Sequence, residues 1–116
     1  MIKTSYAKGL YAEKLAANYL EKAGHIIRDQ RYKTPYGEID IISETNDFIV
    51  FTEVKQRATH NAAAYALTNT QKKRLQNAGL VYTQAVKFTK PCRFDVVLLN
   101  VHAHIIHLEN VIWSDS

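Results

Sequence analysis

Tyr36-Gly37-Glu38-Ile39-Asp40-Ile41-Ile42 and, after a polar break, Phe48-Ile49-Val50-Phe51-Thr52-Glu53-Val54-Lys55-Gln56-Arg57 form the stretch whose reading decides the fold. The first piece sets acids at alternate positions, Glu38 and Asp40, among Ile39, Ile41 and Ile42. The second runs apolar from Phe48 to Phe51 and then places Glu53 and Lys55 two apart. Successive side chains of a strand point to opposite faces, so residues two apart share one. With the turn-forming Glu44-Thr45-Asn46-Asp47 between them, the two pieces read as a hairpin. Pairing brings Asp40, Glu53 and Lys55 within reach of one another on one sheet face. A Glu-x-Lys triplet alone more often marks the wet face of a half-exposed strand. Here the unbroken apolar run ahead of it predicts a strand buried on both faces. Charges at the end of such a strand are costly unless they are paired or hold a metal.

Upstream, residues 4–22 have helical periodicity, with Ala12, Leu15, Ala16, Tyr19, Leu20 and Ala23 forming one apolar stripe. Thr4 or Ser5 is the expected cap and Gly24 the expected stop. Glu13 borders the stripe among the small residues Gly9, Ala16 and Ala17, so this helix edge can approach a sheet closely. An acid there can reach a sheet-borne site, although an isolated helix glutamate is usually a surface group. Residues 25–31 read as a short first strand, and 32–37, punctuated by Pro35 and Gly37, as a loop. Tyr32 and Tyr36, interleaved with Arg31 and Lys33, suit either stacking on bases or covering the edge of the core.

The acidic strand covers 38–44 and the next one 48–56. Residues 58–69 read as a short helical turn or a mobile loop. A clearer helix spans 70–85, burying Leu75, Ala78, Val81 or Tyr82, and Ala85, with Gly79 counting against it. Strands at 94–99 and 105–109 follow, joined by a tight turn at 100–103. The order α-β-β-β-α-β-β, with a helix between the third and fourth strands, implies at least one parallel pair. The expected architecture is α/β: one domain over 1–116, with a mixed central sheet flanked by helices.

No apolar run is long enough to span a membrane, and the N-terminus lacks the apolar core of a secretory signal. The single cysteine, Cys92, permits no internal disulfide, suits a reducing cytoplasm, and reads as a small buried strand residue. The net charge of +4 and pI near 9.2 are compatible with a phosphate-bearing partner. The basic residues flank the acidic centre. Arg28, Arg31 and Lys33 precede it, Arg57 follows it, and Lys72, Lys73 and Arg74 run together further on. Such a distribution suits an enzyme that grips a polyanion by its phosphates and cuts it with a metal, against the alternative of ordinary solvated faces. His102, His104 and His107 match no strong zinc spacing and have no evident supporting acid. Arg93 and Asp95 read as a structural pair.

Lys8-Gly9-Leu10-Tyr11-Ala12-Glu13, Gly37-Glu38-Ile39-Asp40-Ile41-Ile42, Phe51-Thr52-Glu53-Val54-Lys55-Gln56-Arg57 and Cys92-Arg93-Phe94-Asp95-Val96-Val97 together resemble the YraN-like family of small bacterial proteins. The likeness spans nearly the whole chain. That family is similar to the restriction-endonuclease-like PD-(D/E)xK superfamily and, within it, to archaeal Holliday-junction resolvases. The resemblance implies a helix glutamate at Glu13, an aspartate at Asp40, and Glu-x-Lys at Glu53 and Lys55. It implies Mg²⁺ or Mn²⁺ on Asp40, Glu53 and the Val54 carbonyl, DNA as the partner, and a homodimer as in resolvases. Glu38 is a reserve acid, and Gln71 stands where many relatives carry lysine. The rival expectation is a nucleic-acid-binding module of the same fold with weak or no cleavage, and a more distant one is a protein–protein adaptor whose charged strand ends are simply surface.

Overall fold

The computed structural model describes residues 5–58, 67–100 and 102–112, with 5–8 described by their backbone alone. Helix α1 (Ser5–Lys22) leads to strands β1 (Ile26–Thr34), β2 (Gly37–Glu44) and β3 (Ile49–Gln56). Helix α2 (Asn69–Val86), β4 (Cys92–Leu99) and β5 (Ile105–Leu108) follow, in the expected order. The five strands lie side by side in chain order. All neighbours are antiparallel except β3 and β4, the parallel pair that the intervening helix makes possible. The proposed cap at Thr4, most of the segment 58–69, and Val101 of the expected turn lie outside the described residues.

Local chemistry explains the boundaries. Helix α1 stops in a Schellman motif. Gly24, at φ +97, donates to Glu21 O, and His25 N–H reaches back to Leu20 O at 2.9 Å. Strand β1 runs three residues further than the sequence suggests, because Tyr32, Lys33 and Thr34 pair with Ile39, Glu38 and Gly37. Pro35 and Tyr36 make only the tip, where Thr34 Oγ1 accepts from Tyr36 N–H and donates to Gly37 O. Helix α2 begins one residue early, since Thr68 and Gln71 form a complete capping box. Gln71 is thereby committed to the helix start. Cys92 opens β4 in an exposed position, not the buried one expected.

The sheet is covered on both faces. On one side Ala12, Ala16, Ala17 and Leu20 of α1 pack on Ile41, Val97 and Leu99. On the other, Leu75, Ala78 and Tyr82 of α2 pack on Ile39, Ile42, Ile49 and Phe51. Phe51 and Val50 are fully buried, as the apolar run implies, and each such side chain contributes roughly 1.5–3 kcal/mol. Ala85 is exposed, contrary to expectation, whereas Gly79 is buried. A Cβ at Gly79 would meet two Phe51 ring carbons at 3.0 Å and Phe94 at 3.2 Å. The glycine that weakens the helix pattern is what lets the helix lie on those two rings. No helix among the described residues is long and apolar enough to cross a membrane.

Gly79→Ala should therefore destabilise the fold by about 1–3 kcal/mol, the overpacking outweighing alanine's better helix propensity of about 1 kcal/mol. Urea unfolding of the two proteins checks this.

Candidate active site

The β2–β3 ladder runs from Glu44↔Ile49 to Ile41↔Thr52 and stops. At that point Val54 N–H donates to Asp40 Oδ2 at 2.8 Å, so a carboxylate replaces the strand's backbone as acceptor. The β1–β2 pairing keeps its register at the same level, its register shift lying further back between Ile27 and Asp29. Gln30 pairs with Ile41 and Tyr32 with Ile39, while Arg31 between them adopts a left-handed φ of 51. For a residue with a Cβ this conformation costs on the order of 1–2 kcal/mol. Ile39 and Ile42, three apart, both face α2, whereas Ile41 faces α1. Strand β2 must therefore rotate about its axis between them, and the rotation falls on Asp40.

Three carboxylates from three elements gather here. Glu53 is on the face of β3 that carries Ile49 and Phe51, and its Oε1 lies 3.3 Å from Arg74 Nη2 of α2. Glu13 projects from α1, is buried, and takes a two-pronged bond from Arg31, 2.9 Å from Nε and 3.2 Å from Nη2. Asp40 stands between them. Burial first, then the charge of Glu53, and to a smaller extent that of Glu13, push its carboxyl up to about 7. The Val54 hydrogen bond and Arg74 only partly oppose this. Lys55 shares the Glu53 face and is buried. Loss of hydration, then Arg57, holds its ammonium below its ordinary value, with Glu53 opposing.

Gly37 has a specific place in this geometry. Its φ is +122, and a Cβ there would stand 3.1 Å from Arg74 Cδ and Nη1. The Arg74 side chain thus passes close over the backbone of Gly37 on its way to Glu53.

The flanking basic residues do not all belong to the group. Arg31 and Arg74 are in it, and Arg57 follows Lys55 at the end of β3, exposed, its backbone N–H bonded to Leu99 O. Lys72 and Lys73 lie in the first two turns of α2, next to Arg74 in the chain. Lys33 is exposed opposite Glu38 in the β1–β2 register, and Glu38, itself exposed, stays outside the acid group. Arg28 lies at the other end of the sheet, where it pairs with Glu44, which also binds Lys90.

A second buried acid has no counterpart in the sequence reading beyond its arginine. Asp95 is inaccessible to solvent and takes two bonds from Arg93, one from His107 Nε2 at 2.7 Å, and one from Asn110 N–H. Burial works against its charge, but these donors win, and its carboxyl lies below the ordinary range. His107 therefore does have a supporting acid. The strand register that delivers it is invisible before β4 and β5 are paired. His25, bonded to Ser43 Oγ at 2.8 Å, sits against the His107 ring. His102 and His104 remain exposed in the β4–β5 connection.

Among the described residues no three His, Cys, Asp or Glu side chains form a metal-ligating set. Asp40 and Glu53 are a two-carboxylate arrangement. Hard oxygen donors of this kind suit Mg²⁺ or Mn²⁺, which keep several waters and take the remaining ligands from substrate. The crowding that raises Asp40 is relieved by a cation, so the donor set fits one.

The molecule is thus a mixed α/β protein with a buried acid–lysine cluster where its central strands part. The chain belongs to the uncharacterised protein family UPF0102, whose model matches residues 12–99. The YraN-like resemblance is borne out at that level. A UPF0102 protein of Thermodesulfovibrio yellowstonii is 38% identical over 88% of this chain and 92% of its own length. One of Shewanella frigidimarina is 41% identical over 80% and 88%, and one of Nitrobacter winogradskyi 40% over 82% of each.

Asp40 and Asp95 should respond oppositely to substitution. An acid whose folded pKa is raised favours the fold only while protonated, so Asp40 costs nothing below about pH 4 and progressively more towards pH 7. Asp40→Asn should raise stability by about 1–3 kcal/mol at pH 8, the gain disappearing near pH 4. Asp95→Ala strips the half-buried Arg93 of its two-pronged partner, leaving it Glu109 at 3.7 Å. It also removes the acceptor for His107 and Asn110 N–H, so it should cost about 3 kcal/mol. Melting curves across this pH range measure both.

Proposed function

We propose that this protein is a metal-dependent endonuclease that hydrolyses phosphodiester bonds in DNA, with branched or single-stranded DNA as its structure-specific substrate. Its fold would then be restriction-endonuclease-like and its site that of the PD-(D/E)xK superfamily. The observation that carries this reading is the crowding of Asp40 and Glu53, with Lys55 beside Glu53, at the point where β2 and β3 separate. Mg²⁺ or Mn²⁺ would be held by the Asp40 and Glu53 carboxylates with the Val54 carbonyl. When bound, the cation supplies Lewis-acid polarisation of the scissile phosphate and acidification of the attacking water.

The chain's own groups do the rest. Lys55, poorly hydrated and beside Glu53, orients the attacking water and meets the negative charge that builds on the phosphate. The Val54 N–H fixes one Asp40 oxygen, so the direction of the carboxylate is set before any ligand arrives. Glu13 acts from the α1 side through water. Arg57, Lys72 and Lys73 surround the site with positive charge that can position phosphates without reading sequence. The reading puts the protein in the cytoplasm, and a homodimer would present two such sites to a branched substrate.

One observation favours a second reading, a nucleic-acid-binding module with weak or no cleavage. Glu13 and Glu53 are already matched by Arg31 and Arg74, as in a stable structural network. A panel of junctions, flaps, hairpins and single strands with Mn²⁺ separates the two. The nuclease reading expects metal-dependent nicking of at least one, and salt-sensitive binding with no nicking of any would establish the module instead.

Lys55→Ala should abolish cleavage, by roughly a hundredfold or more, while leaving DNA binding within about threefold. Cleavage at the wild-type rate by this variant would remove Lys55 from its assigned role.

A further inference from the structure

Each of the two outer carboxylates of the cluster is covered by an arginine that lies nearer to solvent than the acid does. The Arg31 side chain is 32% exposed over Glu13 at 10%, and that of Arg74 is 36% exposed over Glu53 at 16%. Both arginines come from elements other than the acid they cover, β1 onto α1 and α2 onto β3. Both are held by unusual backbone. Arg31 itself is left-handed, and the Arg74 side chain passes over a glycine at positive φ. A cleft of about 370 Å³ between α1 and β1, lined by Glu13, Lys14, Asn18, Gln30 and Arg31, opens beside the first pair.

We propose that Arg31 and Arg74 are internal counter-cations of the acid cluster, displaced when a divalent cation enters and then available to substrate phosphates. This rests on the nuclease reading and adds to it a reason for metal and DNA to bind cooperatively. Without DNA, a cation on Asp40 and Glu53 must displace Arg74 from Glu53. Glu13 can act on it through water only once Arg31 lets go, so the cation binds weakly. With DNA present, phosphate oxygens take up the released guanidiniums, which pair with phosphate as well as with carboxylate. Metal affinity then rises, and by linkage DNA affinity rises by the same factor. Arg31 and Arg74 are positioning residues in this scheme. They set when the site is charged and leave the chemistry to Lys55 and the two carboxylates.

The test is calorimetric titration of Mn²⁺ into the DNA-free protein and into its complex with a phosphorothioate oligonucleotide. Wild type is compared with Arg74→Gln and with Arg31→Asn, asparagine being chosen because it tolerates left-handed backbone. The variants should bind Mn²⁺ more tightly than wild type without DNA, by roughly threefold or more each, although each has lost an ion pair. The oligonucleotide should tighten Mn²⁺ binding to wild type and do so less in the variants. A merely structural role predicts lower melting temperatures with unchanged or weaker Mn²⁺ binding, and that result overturns the inference. So does a wild-type Mn²⁺ affinity indifferent to DNA. Should Arg31→Asn not fold, Arg74→Gln decides alone. Binding of Mn²⁺ by no form of the protein, with no cleavage, overturns the nuclease reading and this inference together. Wild-type binding and cleavage with unresponsive variants overturns the inference only.

Discussion

The hydrogen bond from Val54 N–H to Asp40 Oδ2 is the constraint on which the rest of the site depends. It stands where the two central strands stop pairing, and it substitutes a charged side chain for a backbone carbonyl. A strand N–H that loses its partner inside a protein must find another acceptor. Here it finds one whose own environment resists ionisation. The bond therefore fixes Asp40 in place without neutralising it. The left-handed backbone of β1 at Arg31 and the rotation of β2 at Asp40 both accommodate this arrangement.

The contrast with Asp95 shows that this is not how the fold treats buried acids in general. Asp95 lies on β4, is fully hidden where Asp40 is half-buried, and is surrounded by donors that hold it ionised. Its position next to Arg93 and His107 closes one end of the sheet against α1. Asp40 has carboxylates for neighbours instead. A protein that satisfies one buried carboxylate fully and leaves another crowded places its electrostatic strain at one location. That location is the one that suits a divalent cation.

Most of the fold was legible because its signals are local. The apolar run ahead of Glu53 announces a strand covered on both faces, and the helix between two strands announces a parallel pair. The Thr68–Gln71 cap and the tight Pro35–Tyr36 tip move boundaries by one and three residues, through hydrogen bonds that periodicity does not register, whereas α1 stops where Gly24 announces it. Gly79 was misleading in isolation, since its value lies in the rings of Phe51 and Phe94 across the interface. In the candidate site, alternation within a strand brings Glu53 and Lys55 to one face, and Ala16 and Ala17 near Glu13 let its helix come close, whereas Gly9 faces open space. The partnership of Arg31 with Glu13 and of Arg74 with Glu53 joins residues 18 and 21 apart and depends on a left-handed kink and a glycine bed. Spacing alone carries no trace of either. The same holds for His107, whose acid becomes apparent only with the β4–β5 register, and for Arg28, which the extra length of β1 keeps at the far end.

Under the proposed function, these features come together in one statement about charge: the crowded carboxylates of Asp40 and Glu53 would seat a divalent cation. An anomalous-difference map from crystals grown in Mn²⁺ addresses it most directly. A peak between the two side chains, with the Val54 N–H still on Asp40, is the expected result. A map without density there, and with Asp40 and Glu53 turned apart into solvent, would contradict it.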